Sequence, residues 1–217
     1  MRLIRYSTKG EPAQYGWINN LHVGKIVGSP FGEFQRSEAN IPFESIQLLA
    51  PITPGKIICV GRNYIEHVRE TQAEVPTTPL LFLKPPSAVI GPDETICLPP
   101  QSEQVDHEAE LVVVIGKRGR WIQPSDAFSY IFGYTIANDV TARDLQRKDG
   151  QWTRSKGFDT FCPLGPWVET EINPADLLIT CRVNGVIRQM ASTRDMTFHI
   201  DQLIGRASCR ERVSSVV

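Results

Sequence analysis

The chain of 217 residues carries 23 basic and 24 acidic side chains, which gives a formal net charge of −1. This balance argues against a nucleic-acid-binding protein with a generally basic surface, because phosphate neutralisation needs clustered Lys and Arg. No apolar run approaches the ~20 residues of a membrane helix, and residues 1–6 lack the pattern of a secretory signal. The five cysteines are scattered, without a C-x-x-C pair, so we expect reduced thiols and a cytoplasmic protein.

The first 54 residues predict a small β domain. Three short segments separated by turn signals are interpreted as its strands: Arg2–Tyr6, Tyr15–Ile18 and Leu21–Val27. The polar stretch Glu33–Ile41 then leads into Ile46–Ile52, and the prolines at positions 51 and 54 indicate a linker. We therefore place a domain boundary near residue 54.

The region after this boundary predicts further strands. Its short apolar runs are typical of strands, and the β-branched residues at 112–114 mark the strongest of them. The predicted strands are Lys56–Val60, Leu80–Leu83, Ile96–Leu98, Glu108–Ile115 and Phe132–Ala137. A hairpin is predicted for Leu178–Val183 and Val186–Met190, because they flank an Asn-Gly turn at 184–185.

Helices are few in this prediction. One is expected over Tyr64–Thr71, with Asn63 as its N-cap, because an Asn side chain can accept from an unpaired amide at a helix start. A second, short helix is expected over Ser125–Ser129. The predicted fold class is therefore mainly β with a few short helices (α+β).

Acidic residues at the start of the strongest strand suggest a metal site. Glu108 and Glu110 are two residues apart, so they share one face of a strand, and Asp139 follows the next strand along the chain. Three carboxylates without Cys or His suit Mg²⁺, Mn²⁺ or Ca²⁺ better than zinc. From the spacing alone, a solvated outer face of the strand is the more common explanation.

A possible general base lies on the predicted helix over Tyr64–Thr71. His67 and Glu70 are three residues apart and share a helical face, so the carboxylate can fix the imidazole tautomer. Such a pair is suited to taking a proton from water. The alternative is a surface helix whose charged side chains simply face solvent.

Several ordered sequence blocks resemble the fumarylacetoacetate hydrolase family over residues 55–203. The blocks are Gly61-Arg62-Asn63-Tyr64 with His67, Phe82-Leu83-Lys84-Pro85, His107-Glu108-Ala109-Glu110-Leu111, Asn138-Asp139-Val140-Thr141-Ala142-Arg143-Asp144, the run 152–159 and the run 162–166. The first region resembles the small N-terminal domain that many bacterial members carry.

This resemblance implies a mixed β-sandwich roll, a homodimer and a bound Mg²⁺ or Mn²⁺. It implies the metal ligands Glu108, Glu110 and Asp139, the active-site Lys156, the water-activating pair His67 and Glu70, and the substrate-binding residues Arg62, Lys84, Arg143 and Gln146. The activity it implies is hydrolysis of a C–C bond in small 2,4-dioxo acids of the acylpyruvate type.

Other activities stay open at this point. The family also includes isomerases of 2-hydroxyhepta-2,4-diene-1,7-dioate and decarboxylases of oxaloacetate, which act on related 2-oxo or 2-hydroxy acids. A domain that dimerises without turnover is the alternative from a different class. The intact set of candidate site residues favours an enzyme, because a scaffold has no use for clustered like charges.

The C-terminal residues depart from the family pattern, which continues into further strands and a loop containing Gly-Thr-Pro. The run Ile204–Val213 instead resembles one translated reading frame of a sequencing adapter. We interpret Ile204–Val217 as a non-native tail and residues 55–203 as a partial catalytic domain. Since the apolar residues of the tail form no sustained face, we expect it to pack against nothing. Because the downstream strands of the family pattern are missing, we expect the truncated chain to be inactive.

Overall fold

The computed structural model describes residues 1–70, 74–210 and 213, apart from the side chains of residues 67, 70 and 210. In chain order, the strands within these ranges are β1 (Arg2–Ser7), β2 (Gln14–Asn19), β3 (His22–Gly28), β4 (Phe34–Pro42), β5 (Gln47–Leu49), β6 (Ile57–Gly61), β7 (Leu80–Lys84), β8 (Val89–Ile90), β9 (Val105–Asp106), β10 (Ala109–Ile115), β11 (Ile131–Asn138), β12 (Thr141–Ala142), β13 (Cys162–Glu169), β14 (Leu178–Val183) and β15 (Val186–Ser192). The helices are α1 (Ile65–Glu70), α2 (Arg143–Asp149), α3 (Thr153–Lys156) and α4 (Ile200–Arg210). Short 3₁₀ turns connect several of these elements, and the one at Pro124–Tyr130 replaces the short α-helix predicted there.

Most strands belong to one sheet in the order β10-β11-β13-β1-β2-β3-β4. The antiparallel pairing of β1 with β13, with Arg2 opposite Glu169, joins the first region to the strands that follow residue 54. Strand β10 lies at one end of this order and β4 at the other. The predicted mainly β fold with few helices is confirmed.

Strand β10 leads from the predicted acidic residues into the apolar core. Val112 and Val114 are buried against Leu3 of β1 and Leu164 of β13. Glu110, Val112 and Val114 are successive second residues of the strand, so their side chains lie on one face of it. Along this face, a carboxylate is followed by aliphatic side chains. Burial of the valine end thereby fixes the direction in which the acidic end projects.

The structure corrects three strand predictions. The polar stretch at 34–42 forms β4, which is stable at the end of the sheet because its exposed face can be polar. Ile96–Leu98 has no regular structure, and Leu98 is 69% exposed. The unpredicted β13 lies inside the sheet, between β11 and β1, despite its Gly and Pro residues, because a register shift in its pairing with β11 accommodates them.

The expectation that residues 204–217 pack against nothing is wrong for the described part of that segment. Ile200 and Ile204 are one helical turn apart on α4 and are buried with Ile115 and Ile122. The Ser208 hydroxyl accepts from the Ile122 N–H at 3.0 Å. The apolar face of α4 begins at Ile200. The predicted boundary at residue 203 divides this face, so the helical spacing of its apolar residues is not visible within 204–217.

The backbone at residue 213 is also bound to the rest of the fold. Gly119 and Val213 exchange two backbone hydrogen bonds of 2.9 and 3.0 Å, and Val213 is 1% exposed. Residues 211–212 and 214–217 lie outside the described residues. Across the described part of the chain, no helix combines the length and the apolar character required to cross a membrane.

Candidate metal centre

The start of β10 brings three carboxylates together. The Glu108 N–H donates to the Asn138 side-chain oxygen at 2.9 Å, and the Asp139 N–H donates to the Glu108 carbonyl oxygen at 2.8 Å. These bonds place the residue that follows β11 beside the acidic end of β10. Carboxylate oxygens of Glu108, Glu110 and Asp139 lie within 4.8 Å of one another.

Two buried lysines neutralise part of this charge. The Lys156 Nζ lies 2.6 Å from Glu108 Oε2 and 2.6 Å from Asp139 Oδ2. The Lys84 Nζ lies 2.5 Å from Asp139 Oδ1 and also donates to the Lys156 carbonyl oxygen. Both lysines are 3% exposed, and such burial of an ammonium group is tolerated only where it is paired and hydrogen-bonded.

Arg143, a predicted substrate-binding residue, contacts both the carboxylate of Glu108 and the predicted substrate-binding residue Gln146. Its guanidinium contacts Glu108 Oε1 at 2.5 Å and Asp106 Oδ2 at 2.9 Å, and it donates to the Gln146 side-chain oxygen at 3.1 Å. These contacts hold the Glu108 carboxylate between two cations, Arg143 and Lys156. Gln146 lies one turn further along α2, which is why its side chain reaches the same guanidinium.

Glu108, which directly precedes β10, and Glu110 on β10 have opposite electrostatic environments. Burial alone would raise the pKa of Glu108, but Lys156 and Arg143 outweigh it and lower that pKa to about 2. Burial, together with the neighbouring Asp139 and Glu108, raises the pKa of Glu110 well above its usual value. Lys156 stays charged, because the carboxylates outweigh the effect of burial and raise its pKa.

Glu110 provides the test of whether a divalent cation fits. Among the described residues it has no ion-pair partner within 4 Å, whereas Glu108 and Asp139 each contact a lysine. A partly buried carboxylate without a cation is unfavourable, and a metal ion beside it would remove that cost. Three oxygen donors of this kind suit Mg²⁺ or Mn²⁺, so the residues fit the metal that the sequence suggests.

The predicted His67 and Glu70 both lie on α1, three residues apart, but their side chains lie outside the described residues, as does Thr71. The prediction that Asn63 caps this helix is wrong. The Asn63 side chain instead accepts from the Phe198 N–H at 2.8 Å and donates to the Phe198 carbonyl oxygen at 3.1 Å. A long-range tether has therefore replaced the local cap that the sequence favours.

The remaining predicted residue, Arg62, is exposed and lines the same large cleft as the carboxylates. Sequence reasoning missed an aromatic wall of this cleft. The Lys156 Nζ lies 5.0 Å from the centre of the Phe82 ring and 5.9 Å from that of Trp152. Both aromatics lie in the blocks quoted above, but an isolated aromatic residue indicates a core position as readily as a site.

Two family models match the chain. The model described as "Fumarylacetoacetate (FAA) hydrolase C-terminal" covers residues 56–214, and "Rv2993c-like, N-terminal" covers residues 1–51. The chain belongs to the fumarylacetoacetate hydrolase family. Members of this family are enzymes, so the carboxylate cluster described above lies in an enzyme fold.

Three similar proteins illustrate the range of activities in the family. The mitochondrial oxaloacetate tautomerase FAHD2A of Bos taurus is 48% identical over 170 residues, which are 76% of this chain and 54% of that protein. The structure of 5-carboxymethyl-2-hydroxymuconate delta-isomerase from Mycobacterium smegmatis has a TM-score of 0.90 and 39% identity, covering 100% of this chain and 86% of that one.

The third is the maleylpyruvate hydrolase from Sphingobium sp. SYK-6, whose structure contains manganese(II) and pyruvate. It has a TM-score of 0.79 and 28% identity, and the match covers 100% of this chain and 86% of that one. The chain spans 65% of the length of a relative from Methanocaldococcus jannaschii and, as noted, about half of the bovine one.

Proposed function

We propose that this protein is a Mg²⁺- or Mn²⁺-dependent enzyme that acts on small 2-oxo acids. The observation that carries the proposal is the cluster of Glu108, Glu110 and Asp139, in which Glu110 has no cationic partner among the described residues. The manganese and pyruvate in the related maleylpyruvate hydrolase support the same pairing of metal and substrate class.

The favoured reaction is hydrolysis of a C–C bond in a 2,4-dioxo acid of the acylpyruvate type. When bound, the cation supplies a Lewis acid and a template for the substrate carboxylate and 2-oxo oxygen. His67, with Glu70 behind it, takes a proton from the water that adds to the distal carbonyl. As the C–C bond breaks, the electron pair passes into the pyruvate fragment, and the Lys156 ammonium stabilises the resulting negative charge.

The surrounding polar residues would orient this machinery. Arg143 and Lys156 each bind one oxygen of Glu108, so that carboxylate cannot rotate freely. Lys84 and Lys156 likewise each bind one oxygen of Asp139. Arg62 and Gln146, which line the cleft, are proposed to contact the substrate.

The second candidate is isomerisation or tautomerisation of a related 2-oxo acid, and oxaloacetate decarboxylation belongs with it. It is supported by the 48% identity to an oxaloacetate tautomerase and the 39% identity to an isomerase. All of these reactions place negative charge on carbon next to a 2-oxo group, so the same carboxylates and Lys156 can serve them. Only the attack of water is particular to hydrolysis.

We also infer a homodimer. The hairpin β14–β15 exposes large apolar side chains to solvent, with Leu178 67% and Met190 66% exposed. Exposed apolar surface of this kind is typical of an interaction face. Sedimentation of the full chain tests this inference, which a monomer at micromolar concentration would contradict.

The activity test is an assay of the full chain with Mn²⁺ or with EDTA, on acetylpyruvate and on oxaloacetate in parallel. Release of pyruvate and acetate indicates hydrolysis, whereas a change in the enol absorbance of oxaloacetate without cleavage indicates a tautomerase.

His67→Ala should lower kcat of the hydrolytic reaction by about 10²–10⁴ without weakening metal binding. The matched control is His22→Ala at an exposed position of β3, which should leave kcat unchanged. No metal-dependent turnover of either substrate would contradict the proposal and would agree instead with the inactive chain expected from the sequence.

A further inference from the structure

Gln189 makes a pair of hydrogen bonds that neither the proposed chemistry nor the sequence motifs account for. It lies on β15, opposite Cys181 of β14. Its side-chain oxygen accepts from the Ala109 N–H at 2.7 Å, and its side-chain nitrogen donates to the Ala109 carbonyl oxygen at 2.7 Å. A carboxamide thus pairs with a strand residue in the way that a neighbouring strand would.

The position of Ala109 gives this contact its importance. Ala109 lies between the two candidate ligands of β10, and β11 is the only described strand that pairs with β10. The backbone of Glu108 is bound on the β11 side, where it contacts Asn138 and Asp139. The backbone of Ala109 points the other way, where Gln189 is the group that satisfies it. The acidic end of β10 is therefore held from both edges.

We propose that Gln189 is a positioning residue for the metal centre. By fixing the backbone between Glu108 and Glu110, it keeps both carboxylates directed toward the same point at the start of β10. It acts through the backbone, since it contacts neither carboxylate, and it couples the β14–β15 hairpin to the site. The inference rests on the proposed function only in that the carboxylates bind a divalent cation.

The expected size of the effect follows from how metal sites respond to loss of outer contacts. Removing a group that orients a ligand typically lowers metal affinity about 10–100-fold. Without Gln189, the Ala109 N–H and carbonyl lose their partners, and the backbone between the two glutamates is held from the β11 side alone. Turnover with saturating Mn²⁺ should then fall much less than the Mn²⁺ affinity does.

The experiment is Mn²⁺ binding to the full chain, measured by calorimetry and by the electron paramagnetic resonance spectrum of the bound ion. Gln189→Met keeps the length of the side chain and removes both hydrogen bonds. The matched control is Gln202→Met, because Gln202 is exposed and its side-chain oxygen accepts from a backbone N–H, that of His199. We expect Gln189→Met to weaken Mn²⁺ binding about 10–100-fold and to broaden the spectrum, and Gln202→Met to change neither.

Further outcomes separate the possible failures. If Gln189→Met does not fold, Gln189→Asn takes its place, since it keeps the carboxamide on a stem too short for both bonds. A variant with a lower melting temperature in EDTA but unchanged Mn²⁺ affinity would overturn the inference and leave Gln189 purely structural. Absence of Mn²⁺ binding by the unsubstituted chain would overturn the metal centre, and the inference with it.

Discussion

The two ends of the main sheet are built on different principles. At the β1–β4 end, Ile4, Tyr6 and Val23 are fully buried and pack in an apolar cluster. At the β10 end, Lys84, Asp139 and Lys156 are equally buried, with 3% exposure each. The first end is stabilised by burial of apolar surface, and the second depends on every charge keeping its partner. A single substitution should therefore have different consequences at the two ends.

The largest effect is expected from Lys84→Met. Removing this lysine leaves Asp139 with one cation fewer and takes a donor from the Lys156 carbonyl oxygen. Breaking a buried pair by removing one partner should lower the free energy of unfolding by about 4 kcal/mol. Urea unfolding in EDTA measures this loss, with Lys25→Met at an exposed position of β3 as the control. Equal stability of the two variants would show that the charges at the β10 end do not depend on their partners, and would contradict the contrast with the β1–β4 end.

A somewhat smaller loss is expected at the apolar end. Ile4→Ala should lower the free energy of unfolding by about 3 kcal/mol, because it leaves a cavity among Tyr6 and Val23. Ile4 belongs to a different apolar cluster from Val112 and Val114 of β10, so the Mn²⁺ affinity should not change. Calorimetric titration of the folded variant checks this second part. A parallel loss of Mn²⁺ affinity would show that the two ends are coupled.

The smallest loss of stability is expected for the charge pair between Glu169 of β13 and the first residues of the chain. Glu169 contacts the Met1 amino group at 3.1 Å and Arg2 at 3.4 Å, and its side chain is 24% exposed. Partial burial raises the pKa of Glu169, but the amino group and Arg2 outweigh it, so the net pKa is lowered. Glu169→Gln should cost less than about 1 kcal/mol at pH 7.

The sign of the pH dependence follows from that lowered pKa. The contribution of Glu169 is present above its unfolded value, near 4.5, and is lost as the pH falls through the folded value. The difference in unfolding free energy between the original chain and Glu169→Gln should therefore shrink between pH 5 and pH 2.5. A difference that stays constant over this range would show that charge does not contribute.

The parts of the fold that could be predicted from sequence are those with local patterns. The period of two placed Glu108 and Glu110 on one face, and the Asn-Gly turn at 184–185 gave the hairpin with its first strand at the observed bounds. Strand β13 was missed because its prolines and glycines signal turns locally, while its central position depends on pairing with β1 and β11.

The site could be predicted by residue type but not by contact. The pattern around Asp139 suggested a metal ligand, yet nothing local indicates that Lys84, 55 positions earlier, would pair with it. The tether from Asn63 to Phe198 spans 135 positions, and the bonds from Gln189 to Ala109 span 80. Such contacts depend on the packing of distant elements, and a single sequence carries no signal for them.

The most direct test of the central claim is a Mn²⁺ titration of the full chain at neutral pH, followed by calorimetry. We predict that one ion binds per chain, at Glu108, Glu110 and Asp139, and that Glu110→Gln abolishes this binding. Glu38→Gln on the exposed edge strand β4 is the matched control and should bind as the original chain does. Unchanged Mn²⁺ binding in Glu110→Gln would contradict the account, because the carboxylate without a cationic partner would then not be a ligand.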